Sequence, residues 1–84
     1  MNDYELKDTM YMMTSTDYKE RFKAEYYQLE IRYGKLNAIL YKWDKGELDF
    51  EPTCPREIYD RQKKVMREYL EILVKRAELE GIEL

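Results

Sequence analysis

Eighty-four residues with a net charge of −3 make one small domain, and both signs of charge are interspersed along it. With 39% charged residues, three glycines and two prolines, the composition reads as a helix-rich, water-facing chain. The mild acidity argues against a nucleic-acid-binding domain, which carries a basic face, and is too weak for a DNA mimic.

In residues 1–16, Leu6, Met10 and Met13 stand at helical spacing, Asp3 is placed to cap, and Thr14-Ser15-Thr16 ends the run. This segment reads as a short amphipathic helix or as a frayed terminus, and residues 17–84 as the domain proper. Asp17 stands three residues before Glu20, a capping box for a helix expected from about residue 17 to 45. Its seam is Phe22, Tyr26, Leu29, Tyr33, Leu36, Leu40 and Trp43, a strict four–three repeat. Lys42 and Lys45 suit the negative end of the dipole, and Gly46 supplies a left-handed stop. At 1.5 Å per residue the helix is roughly 43 Å long. Gly34, in its middle, costs about 1 kcal/mol against alanine and reads as an unoptimised surface position.

Residues 46–54 form the connection, with Leu48 and Phe50 expected to plug the open end of the hairpin. Pro55 is expected in the first turn of the next helix, with Thr53 or Cys54 as cap. That helix, about residues 55–80, carries one stripe of Tyr59, Met66, Leu70, Leu73 and Ala77. A second stripe beside it contains Ile58, Val65, Tyr69 and Ile72. Gly81 followed by Ile82 reads as a Schellman ending. The expected fold is therefore all-α, a long antiparallel helical hairpin with a short N-terminal segment. One hairpin leaves Ile31, Ile39, Val65, Tyr69 and Ile72 poorly covered, so a homo-oligomer is expected, most simply a dimer forming a four-helix bundle. The alternative is that residues 4–13 fold over the second face and close a monomeric three-helix bundle.

No histidine is present, which removes the commonest general base and metal ligand near neutral pH. The single cysteine, Cys54, permits no internal disulfide, and the cytoplasm is the expected compartment. No apolar run approaches the length of a bilayer span, and the N-terminus lacks the order of a signal peptide. With no phosphate loop, CxxC pair or nucleophile motif, no catalytic residue, metal site or cofactor is expected, and the chain is read as a non-enzyme.

Two constellations remain as binding candidates. At the hairpin tip, Tyr41, Lys42, Trp43 and Lys45 end one helix where Arg56 and Tyr59 open the next, with Lys63 about one turn further along. Aromatic faces beside cations suit a ligand that joins a nucleobase to phosphate, and a helix N-terminus favours an anion. The competing reading makes Trp43 core and the lysines ordinary helix-end charges. The second constellation is the pair Gln62 and Arg76, polar residues on an apolar stripe that each need a partner. Arg76 either pairs with a glutamate across a dimer and sets its register, or lines a pocket between subunits together with Tyr69.

From Asp17 onward the chain resembles a family of small proteins of crAss-like bacteriophages and their relatives. The resemblance is carried by Tyr18-Lys19-Glu20-Arg21-Phe22-Lys23-Ala24-Glu25-Tyr26, then Leu48-Asp49-Phe50, Pro52 and Cys54-Pro55. It continues through Met66, Tyr69-Leu70, Ile72-Leu73, Arg76-Ala77-Glu78 and Glu80-Gly81-Ile82. The resemblance implies a phage protein of the infected bacterial cytoplasm. By analogy of fold it is similar to phage sponges that sequester cyclic nucleotide immune signals. The expected function is anti-defence: sequestration, without catalysis, of a second messenger of the cyclic nucleotide or cyclic ADP-ribose type. The alternative is a protein–protein inhibitor of a host defence protein, anti-CRISPR-like, or a host-takeover adaptor.

Overall fold

The computed structural model describes residues 4–84, which form helices and no strands. A 3-10 turn, Leu6–Asp8, runs into the short helix α1, Thr9–Met13; then follow α2, Tyr18–Lys45, and α3, Arg56–Glu80. The expected all-α class and helical hairpin are both found. Phe22 near the start of α2 packs with Ala77 and Ile82 at the end of α3, while Trp43 at the far end of α2 meets Tyr59. The two long helices therefore run antiparallel along a body of 43 × 24 × 21 Å.

Local chemistry sets the helix ends. Asp17 Oδ1 accepts the Lys19 N–H at 2.9 Å, as an N-cap should. The reciprocal half of the expected capping box is absent. Ser15 Oγ, two residues away, accepts the Asp17 N–H at 3.0 Å, and Glu20 turns to Lys23 instead. Gly46 and Gly81 both sit at φ 70, which a side chain would resist. The Glu47 N–H reaches the Lys42 carbonyl at 2.8 Å and the Ile82 N–H reaches that of Ala77 at 2.9 Å, so both long helices end in Schellman motifs. At the start of α3 the structure corrects the expected cap. Pro55 is itself the N-cap, with extended ψ of 148, and neither Thr53 nor Cys54 serves. Asp3, the expected cap of the first helix, lies outside the described residues.

The core is small. Phe22, Leu73, Ala77 and Ile82 are buried together, with Tyr26 and Leu29 packed against them. Leu36 and Leu40 continue the buried seam of α2 toward the tip. A second face of α2 buries Ala24 and Tyr27, and there the N-terminal segment docks. The Tyr4 ring stacks on Tyr27 with centroids 4.6 Å apart. Thr9 is fully buried: its hydroxyl donates to the Leu6 carbonyl at 2.7 Å and accepts from Gln28 Nε2 at 3.0 Å. The Gln28 amide also reaches the Met13 sulfur. Among the described residues α1 packs on α2 and not on α3. The N-terminal segment thus shelters Ile31, which becomes half-buried, while Val65, Tyr69 and Ile72 stay exposed on α3.

Candidate ligand-binding site

At the hairpin tip, the Gly46 turn and the connection bring the start of α3 beside the end of α2. The Arg56 guanidinium lies over the Trp43 ring, 5.2 Å from its centroid, and Tyr59 meets the same indole edge-on at 5.7 Å. Arg56 Nη1 donates to Asp44 Oδ1 at 2.7 Å and Nε to Asp60 Oδ1 at 2.9 Å. These bonds, that to Asp44 foremost, raise the Arg56 pKa, and Arg56 in turn holds the Asp44 carboxyl below its ordinary value. Burial first, and then the neighbouring Cys54, raises the Tyr59 phenol. Lys45 sits 5.4 Å from the Tyr41 ring centroid, and Lys42 is exposed. Leu48 is half-buried at the tip, whereas Phe50 is largely exposed and does not plug the hairpin. The five tip residues Tyr41, Lys42, Trp43, Arg56 and Tyr59 therefore lie at one end, but the guanidinium already has two carboxylate partners.

Tyr69 and Arg76 lie elsewhere. Twenty residues of α3 separate Arg56 from Arg76, roughly 30 Å along the axis. Arg76 closes a network at the opposite end: Nε donates to Glu80 Oε2 at 3.1 Å and Nη2 to the Tyr18 hydroxyl at 2.9 Å. The Tyr18 hydroxyl in turn donates to Glu80 Oε1 at 2.7 Å. The guanidinium also covers the Phe22 ring at 4.9 Å, so Arg76 lids the core cluster within its own chain. The Tyr69 hydroxyl donates to Glu25 of α2. Within one chain the seven residues do not converge on a single site.

The structure also forms a cationic groove, of which sequence reasoning singles out Lys63 alone, as an outlier of the tip. Tyr33 from the middle of α2 and Asp60, Lys63, Lys64 and Arg67 from α3 line an open groove of about 280 Å³. Asp60 is engaged by Arg56. Among the described residues, no carboxylate pairs with Lys63, Lys64 or Arg67 within 4.0 Å. Lys63 is near enough to Asp44 at the tip to help lower its pKa, after the larger effect of Arg56. One turn along α2 from Tyr33, the Asn37 Oδ1 is buried and accepts no hydrogen bond. The sequence held one signal for this site: Lys63, Lys64 and Arg67 form a run of positive charge with no acidic residue inside it. That run lies one turn beyond the tip, opposite a seam tyrosine.

The fold and these sites define a small all-α helical hairpin with a docked N-terminal segment and a cationic groove. The chain belongs to the Sequestin family, whose model matches residues 16–79. The family name is consistent with a sequestering, binding role. Neither the curated proteins nor the solved structures gave a match. No helix among the described residues is long and apolar enough to cross a membrane.

Proposed function

We propose that this protein is a homo-oligomeric phage sponge that binds and sequesters an anionic, nucleotide-derived immune second messenger and leaves it chemically unchanged. The observation that carries the reading is the groove in which three cations without carboxylate partners converge beside Tyr33. Lysine and arginine at that spacing suit the phosphates of a cyclic nucleotide or a cyclic ADP-ribose, and the tyrosine offers a stacking face to its base. Trp43, Tyr41, Lys42 and Tyr59 form the rim toward the tip, and Arg56 holds that rim in place through Asp44 and Asp60. The family name and the resemblance to crAss-like phage proteins support sequestration and phage origin respectively.

The test is a thermal-shift and calorimetric panel of cyclic di- and trinucleotides and cyclic ADP-ribose isomers. A ligand present at 100 times its Kd should stabilise the fold by about 2.7 kcal/mol. Lys63→Ala and Arg67→Ala should lose that shift while keeping the wild-type helical signal. Loss confined to Trp43→Ala and Arg56→Ala would move the site to the tip, and a flat panel would overturn nucleotide sequestration. One observation favours a second reading: Tyr11 and Met10 on α1 are 81% and 56% exposed, an apolar surface fit for a host defence protein. A flat panel with a stoichiometric host partner on pull-down would support it.

A further inference from the structure

We infer that α3 pairs, antiparallel, with α3 of a second copy of this chain, about a two-fold axis between Leu70 and Glu71. The inference rests on the homo-oligomer of the proposed function and names its interface and register.

The seam is set by sequence and left open by the fold. Ile58, Val65, Ile72 and Leu79 recur at exactly seven residues and are 43%, 60%, 57% and 75% exposed. Gln62, Tyr69 and Arg76 interleave with them to make a continuous four–three repeat. A seven-residue repeat keeps its face toward a partner only if that partner is a helix with the same repeat, and this chain supplies one. On this seam α2 reaches Tyr69, through Glu25, and Arg76, through Tyr18 and Phe22, while Ile58, Val65, Ile72 and Leu79 stay exposed and α1 packs on α2 and not on α3.

Charge selects the orientation. A parallel pair would stack Arg76 on its own copy and Gln62 on its own copy along the seam. An antiparallel pair sets each of these against an apolar residue instead. Two antiparallel registers cover six of the seven seam positions. Centred on Arg67, the flanks place Glu68 against Glu68 and Arg61 against Lys75 of the other copy, which is repulsive. Centred between Leu70 and Glu71, they place Glu68 against Lys75 twice, which is attractive. The same register lays Tyr69 against Ile72 and Val65 against the stem of Arg76. It also brings Leu79, the most exposed aliphatic residue of the seam, to the apolar groove of about 390 Å³ lined by Ile58, Gln62, Val65 and Met66. Arg76 stays neutralised by Glu80 of its own chain, so the seam buries no unpaired charge.

Sedimentation velocity on the full chain, without any nucleotide, tests this separately from ligand binding. The wild type should sediment as a dimer at micromolar concentration. Ile72→Glu, at an exposed position, should give a monomer with unchanged helical circular dichroism. Glu68→Lys alone and Lys75→Glu alone should each weaken the dimer about tenfold, and the double exchange should restore it. A monomeric wild type, or a dimer indifferent to Ile72→Glu, overturns the interface. A double exchange no better than the single ones overturns the register.

Discussion

Leu73 and Ile72 are neighbours in sequence and opposites in environment, and substituting each with alanine tests the phase of α3. Leu73 is 1% exposed, enclosed by Phe22, Ala77 and Ile82, whereas Ile72 is 57% exposed. Leu73→Ala removes a fully buried side chain from a cluster held by helix backbones that cannot close the gap, so it should cost about 3 kcal/mol. A domain of this size has roughly 4–13 kcal/mol in total, so the loss is a large part of its stability. At about 4–8 °C per kcal/mol, the midpoint should fall by roughly 12–24 °C. Ile72→Ala at high dilution should shift stability by no more than about 0.5 kcal/mol, because an exposed side chain leaves no cavity. Urea and thermal unfolding followed by circular dichroism read both variants. Equal costs, or a larger cost at Ile72 in the dilute protein, would refute the assignment of inner and outer faces.

Two further expectations concern α2. A Cβ added at the exposed Gly34 meets nothing within 4 Å, so Gly34→Ala should stabilise the chain by about 1 kcal/mol in the same unfolding assay. Tyr26 is pushed from 10.0 up to about 12, first by burial and then by its hydrogen bond to Glu30. A raised phenol favours the neutral folded form, so its contribution is complete below pH 10 and is lost as pH rises from there toward 12. Alkaline unfolding should therefore steepen in that window, with the Tyr26 phenol among those ionising late by ultraviolet titration, and Tyr26→Phe should remove its share of that component.

The long helices were legible because each is written twice, once in its repeat and once in its ends. The α2 seam from Phe22 to Trp43 holds the α3 contact, and Gly46 and Gly81 stop the helices where left-handed backbone is needed. Less legible was anything decided by competition between neighbours. Glu20 had the spacing of a capping box, but Ser15 stood closer to the same amide. Arg56 read as a free cation, yet Asp44 and Asp60, 12 residues before it and 4 after, both reach it across the tip. Arg76 was expected to pair with a glutamate across a dimer, but it meets Glu80 one turn along its own helix, and its use of the Tyr18 hydroxyl depends on 58 residues of intervening chain. Lys63 read only as an outlying cation of the tip, and Lys64 and Arg67 were not singled out, because each is an ordinary surface residue until Tyr33 is brought opposite them.

The two proposed surfaces also constrain one another through the helical wheel of α3. Successive residues turn by about 100°, and Met66, Leu70, Leu73 and Ala77 mark the direction of α2. Lys63, Arg67 and Asp60 lie on one side of that direction, whereas Ile58, Val65, Ile72 and Leu79 lie on the other. A second copy seated on the apolar flank therefore leaves the cationic groove open, and each protomer of the dimer retains its own groove. Ligand binding and dimerisation should then be nearly independent. Within each protomer the core contacts at Leu73 and Ala77 hold the two flanks of α3 apart. In a sponge, whose capacity is the number of ligands held per chain, this arrangement gives one site per chain whether or not the chains pair.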